Sequence, residues 1–201
     1  MIQRQRIRIF GALIVSCGVL TGCATGTYHP PIGDLATQQN ERLVKKSFDE
    51  TWSALVEHTS QTFFGIDKFE KASGLLTLSF GAANLERFID CGRIDVQTPG
   101  KPTDGSHNYV EYLSKFGGGR LDGKMNLLVK SVTPNETLVR VSAKYIFSTP
   151  ANQDTFANVW SFDSNSQATI AVGNATKGTV PTRTCRPTLV AEKTILDAIA
   201  K

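Results

Sequence analysis

The sequence predicts an α+β fold in a single domain, with an antiparallel sheet of six or seven strands packed against an N-terminal and a C-terminal helix. Three observations carry this. An amphipathic pattern follows a helix-start signal at Ser47. Two long alternating segments flank Pro134-Asn135-Glu136. A second helical pattern closes the chain. The 201 residues are 40% hydrophobic and 20% charged, which suits one core and excludes an intrinsically disordered chain.

In the first helix, Ser47-Phe48-Asp49-Glu50 reads as a capping box, in which hydroxyl and carboxylate each bond the other residue's amide. Behind it Phe48, Trp52, Leu55, Val56, Thr59 and Phe63 recur on one helical face, and Gly65 is placed to end the helix. Trp52 in such a stripe reads as core, and His58 falls off the stripe. Ile66–Phe69 and the alternating Leu75–Phe80 predict two strands turning at Ser73-Gly74. A short strand is expected over Arg87–Val96, carrying Cys91. Gln97–Asn108, with His107, reads as a loop by composition.

Tyr109–Phe116 is taken as a further alternating strand. Gly117-Gly118-Gly119 then precedes a strand, so it reads as a bulge or corner and not as a phosphate loop. Arg120–Val132 and Thr137–Phe147 alternate strictly and predict a hairpin. Trp160–Phe162 and Ala168–Val172 are shorter strand candidates, and Gly173–Thr184 reads as a loop. The closing helix is expected from Pro187 or Thr188 to Ala200, with Leu189, Leu196 and Ile199 on one face.

The N-terminus carries an address. Arg4, Arg6 and Arg8 precede an apolar run, Ile9–Leu20, too short to cross a bilayer and suited to an export signal. Leu20-Thr21-Gly22-Cys23 resembles the bacterial lipobox, cut before Cys23, whose sulfur then receives a diacylglycerol. That resemblance implies three acyl chains on the mature Cys23, a palmitate-type anchor from which release is negligible. Ala24 in place of Asp implies sorting to the outer membrane, on its periplasmic side. The expected organisation is a signal peptide over 1–22, a lipidated N-terminus and flexible tether over 23–40, and a periplasmic domain over 41–201. Small and polar residues with Pro30-Pro31 suggest the tether, which extended would reach roughly 55 Å. His29 lies in it and is expected to be solvated.

Cys17 leaves with the signal and Cys23 takes lipid, so Cys91 and Cys185 remain. An even pair in an oxidising compartment points to a disulfide, with two free thiols as the alternative. Closing so long a loop would stabilise the fold by roughly 4–5 kcal/mol. Neither cysteine has metal-ligand neighbours at short spacing.

Catalytic signatures are sparse. His29, His58 and His107 are scattered, and no nucleophile-elbow, zinc-protease or phosphate-loop motif occurs. The formal net charge of +4 owes three charges to the export signal; without it 19 basic residues face 18 acidic ones, which excludes a nucleic-acid footprint. The expectation is a non-enzymatic protein without metal or cofactor.

Two segments carry a resemblance. Phe48–Leu55 through Ser73–Leu78 resembles a motif of small Gram-negative lipoproteins. There a Trp-bearing helix precedes a Lys-x-Ser-Gly turn and an apolar strand. Thr184-Cys185-Arg186-Pro187-Thr188-Leu189-Val190-Ala191-Glu192 with Ile195-Leu196 resembles their C-terminal Cys-x-(Ser/Thr)-x-Gly-x-(Leu)-Glu helix start. The arrangement is also similar to the helix-grip domains of the lipoprotein C subunit of the outer-membrane β-barrel assembly machinery. The resemblance is architectural; the anchor, the long tether and the lack of a catalytic motif lead to the expectation of an interaction or envelope-assembly module with an envelope protein as partner, a sheet edge being its natural docking surface. Two alternatives stand beside it. One is a carrier or sensor of an apolar ligand lined by Phe63, Phe64, Phe69, Phe80, Phe88 and Phe116. The other is an envelope hydrolase without a recognisable motif.

Overall fold

The structure, a computed structural model, describes residues 25–33, 35, 40–97, 105–116, 118–151, 157–172 and 180–200. The export segment, Cys23 and Gly117 lie outside the described residues. In chain order the elements are β1 (Thr25–His29), β2 (Glu41–Val44), α1 (Phe48–Ser60), β3 (Gly65–Glu70), β4 (Leu75–Gly81), β5 (Ile89–Asp90), β6 (Arg93–Gln97), β7 (Gly105–Asn108), α2 (Tyr109–Phe116), β8 (Arg120–Thr133), β9 (Glu136–Thr149), β10 (Asn158–Asp163), β11 (Ala168–Ala171), β12 (Thr182–Pro187) and α3 (Val190–Ile199).

The expected hairpin about Pro134 is the spine. β8 and β9 pair from Arg120↔Ser148 to Thr133↔Glu136. Their alternation is the pleat itself: Leu121, Met125, Leu127 and Val129 face inward with Val139, Val141, Ala143, Tyr145 and Phe147, while lysines and serines face water. β4 and β3 extend this sheet on one side. β10 and β2 share the far edge of β9, giving six strands. The fold is thus α+β with antiparallel pairing, as expected, but the strands form three sheets and not one. Two three-stranded sheets, β1-β6-β7 and β11-β12-β5, accompany the large one.

α1 and α3 pack against each other, α1 also on β8 and α3 on β9. The capping box forms as predicted: the Ser47 hydroxyl accepts from the Glu50 amide at 3.3 Å, and the Glu50 carboxylate accepts from the Ser47 amide at 2.9 Å. The helix buries Trp52, Leu55 and Thr59 but ends at Ser60, so Phe63 leaves the stripe and is 47% exposed. Gly65 opens β3 instead of capping α1. α3 buries Ala191, Glu192, Ile195, Leu196 and Ile199.

Four local expectations are corrected. Tyr109–Phe116 is the helix α2, because Tyr109, Val110, Tyr112 and Leu113 share a helical face and the Asn108 side chain accepts from the Val110 amide at 2.9 Å. The Arg87–Val96 strand is broken into β5 and β6 at Cys91-Gly92, preceded by a 3-10 turn over Leu85–Arg87. Part of the Gln97–Asn108 loop is β7, and the end of the Gly173–Thr184 loop opens β12.

Gly123 shows how tightly the inner face is filled. It lies opposite Phe80 on β4 and Tyr145 on β9. The Phe80 ring occupies the space a side chain at Gly123 would take, edge-on to Tyr145 at 5.6 Å and to Phe64 at 5.8 Å. A Gly123→Ala change therefore overpacks the core. It should lower stability by about 1–3 kcal/mol in denaturant titration, and Phe80→Leu in the same chain should recover part of the loss.

Candidate functional site

Cys91 and Cys185 form a disulfide, and both residues are fully buried. It binds the break between β5 and β6 to the middle of β12, which pairs directly with β5 through Arg186↔Asp90 and Pro187↔Ile89. Groups beside the two cysteines, the Thr184 backbone and the Arg183 and Arg186 side chains, act on one segment, residues 25–33.

This segment, expected to be a flexible tether, is instead docked over its described residues. β1 pairs with β6 from Thr25↔Gln97 to His29↔Arg93. The Tyr28 hydroxyl donates to the Thr184 carbonyl and accepts from the Thr184 amide, both at 3.0 Å. The Arg183 guanidinium lies 4.4 Å above the Tyr28 ring and 5.5 Å from that of Tyr109. Burial raises both phenols above their ordinary pKa. Gly92, at φ 78°, admits no Cβ because the His29 carbonyl occupies that place.

Arg186 completes the clamp. Its guanidinium donates to the Gly33 carbonyl at 2.7 Å and to the Ile32 carbonyl, and pairs with Asp90 at 3.1 Å. Only 12% of its side chain is exposed. His29, expected to be solvated, bonds Asp95 at 2.7 Å. Hydrogen bonds from Ser106 and then from His29 hold the Asp95 carboxyl below its usual range.

A second polar cluster lies under α3. Glu192 is wholly buried and accepts from the Tyr145 hydroxyl at 2.6 Å and the Ser164 hydroxyl at 2.8 Å. The same Ser164 oxygen accepts from the Ala143 amide at 2.7 Å. Burial, then the neighbouring Glu192 charge, pushes the Tyr145 phenol far above its ordinary pKa. Closed to solvent, the cluster pins α3 to β9 and cannot meet a substrate. Leu189, where the resembling motif has glycine, adopts φ 59° just before α3.

No protein-family model, curated protein or solved structure matches this chain.

The open site is a groove of about 640 Å³ on the outer face of the large sheet, lined by Phe63, Asp67, Ser79, Lys124, Lys144 and Ile146 among others. Lys124 pairs with Asp67 at 3.4 Å, and Lys144 stands opposite Lys124 across β8 and β9. Phe63 and Ile146 supply apolar walls, and on the groove floor the Ser79 hydroxyl donates to the Asp67 carboxylate at 2.8 Å. His58 sits in a smaller hollow of about 460 Å³ between α1 and α3 with Glu57 and Asp197. Among the described residues no group of three potential metal ligands occurs. The disulfide partners Cys91 and Cys185 come together as expected. The clamp residues Arg183 and Arg186 flank Cys185 in the chain, and no local pattern singles out either of them or Glu192.

Two outcomes follow from this geometry. Arg186→Met leaves Asp90 and two carbonyls short of a charged donor. It should cost about 1–3 kcal/mol and speed amide exchange across residues 25–33 while sparing β8 and β9. In alkali, the folded state holds Tyr145 neutral whereas the unfolded chain ionises it near pH 10, so the stabilisation is complete below about pH 10 and is lost as pH rises beyond it. Tyr145→Phe should flatten that alkaline limb in pH-dependent denaturation, while costing about 1–3 kcal/mol at neutral pH because Glu192 loses a donor.

Proposed function

We propose that the chain is a lipid-anchored envelope protein whose folded domain is a non-enzymatic interaction or envelope-assembly module at the periplasmic side of the outer membrane. The observation that carries this reading is Leu20-Thr21-Gly22-Cys23 at the end of a short export segment. The Cys91–Cys185 disulfide supports it, since such bonds persist in oxidising compartments. In this reading α1 and α3 against the large sheet are the helix-grip element, and the partner is another envelope protein.

The most suitable interaction surface is the outer face of the large sheet. There Leu43, Leu128, Ile146 and Val159 are exposed among ion pairs, Arg120–Asp122, Lys124–Asp67 and Arg140–Glu41. The β3 edge is less suitable for strand addition. All six of its residues are exposed, a bulge falls between Ile66 and Lys68, and Asp67, Lys68 and Glu70 charge it. The groove beside Phe63 and Ile146 favours a second reading, carriage of an apolar ligand; native mass spectrometry of the delipidated domain would retain such a mass.

Cys23→Ser should abolish globomycin-sensitive processing and release the protein from the membrane fraction; unchanged fractionation would refute the anchor. Cross-linking in intact cells from the outer sheet face should recover an envelope protein, and recovery of none above background would count against an interaction module.

A further inference from the structure

We propose that the Cys91–Cys185 bond and residues 25–33 form a redox latch. The docked segment shields the bond, and reduction of the bond by a dithiol frees the segment while α1, α3 and the large sheet persist. The latch belongs to the folded domain and stands whatever Cys23 carries.

Shield and bond are built from the same few residues. Both cysteines are fully buried. The His29 carbonyl and Pro30 lie over the α-carbon of Gly92, the neighbour of Cys91. The Tyr28 hydroxyl bonds both backbone groups of Thr184, the neighbour of Cys185. Asp90 and Arg186 flank the two cysteines on their other sides; they pair with each other, and Arg186 holds the Ile32 and Gly33 carbonyls. Each of these contacts needs β12 held beside β5. Apart from the disulfide, β12 meets β5 through two ladder pairs, Arg186↔Asp90 and Pro187↔Ile89, and Thr188 donates to the Arg87 and Phe88 carbonyls. Cutting the bond therefore loosens the surface on which the segment rests.

The segment is also the part of the shield most ready to open. β1 lies at the edge of its sheet, and His29, Pro30, Ile32 and Gly33 are exposed. Short exposed edges open at small cost while core strands stay closed. The β8–β9 ladder and the Tyr145–Glu192 tie to α3 lie outside the latch. When the segment lifts, one thiolate of the dithiol attacks a sulfur of the Cys91–Cys185 bond. That gives a mixed disulfide and one free cysteine. The second thiol of the reductant then displaces the other cysteine and closes the reductant's own disulfide. Two electrons and two protons pass to Cys91 and Cys185.

The test treats the oxidised protein with dithiothreitol in native buffer and follows alkylation of Cys91 and Cys185 by peptide mass, so the readout is independent of Cys23. Tyr28→Ala and Arg186→Met should each speed reduction about tenfold or more, because opening of the segment sets the rate. Gly123→Ala, which loosens the core of the large sheet instead, should leave the rate within about twofold of the parent. The reduced parent should lose amide protection across residues 25–33 and keep it in β8 and β9. The doubly substituted Cys91→Ala, Cys185→Ala chain should show the same pattern without reagent. Equal rates in all four proteins, or a Gly123→Ala rate that rises with the other two, overturn the shield. Reduced or doubly substituted protein that keeps residues 25–33 protected, or that loses β8 and β9 as well, overturns the release.

Discussion

The Cys91–Cys185 bond is the constraint on which the smaller sheets and the N-terminal segment depend. It closes a separation of 94 residues, for which the chain-entropy argument gives roughly 4–5 kcal/mol. That is a large part of the 5–15 kcal/mol by which domains are ordinarily stable. Its placement matters as much as its size. β5 has two residues and β11 four, too short to hold a sheet by ladder bonds alone. The crosslink keeps β5 on β12. Asp90, Gly92, Arg183, Thr184 and Arg186, all within two residues of a bonded cysteine, then form one surface for residues 25–33.

Two arginines work on that surface by different physics. Arg183 acts through its planar face, lying against Tyr28 and near Tyr109. Arg186 acts through its fork, reaching Asp90 and two successive carbonyls at once. A lysine would lose the planar stacking face of the first and, with its donors on a single nitrogen, could not reach the separated acceptors of the second, which Arg186 meets with different nitrogens. Asp90 makes the Arg186 position tolerable: a guanidinium buried to that extent without a carboxylate partner would oppose folding.

The sequence was most legible where one period repeated long enough to exclude the other. β8 and β9 alternate over 14 residues each, and the capping box marks α1 without ambiguity. Compartment and parity foretold the disulfide. Short elements were misread for identifiable reasons. In Tyr109–Phe116 an eight-residue window fits either period, and the deciding signal was the Asn108 cap with Glu111 three residues on. β1 was hidden because Thr25–His29 has a linker's composition. Its ordering comes from Tyr28 and from residues more than 60 positions away, which no local pattern records. Glu192 was hidden for the same reason, its partners Tyr145 and Ser164 lying on β9 and after β10.

Both ends of the folded domain are governed from the same place. β12 leaves Cys185, and within four residues the chain turns through Leu189 into α3. A left-handed backbone at a residue with a Cβ costs about 1–2 kcal/mol. The Leu189 side chain, fully buried, offsets this with roughly 1.5–3 kcal/mol of apolar burial that a glycine would not supply. Thr188 fixes the turn by donating to the Arg87 carbonyl at 2.6 Å, and Glu192 then ties the helix to β9. The N-terminal strand and the C-terminal helix are therefore set in relation to each other by the stretch around one crosslink.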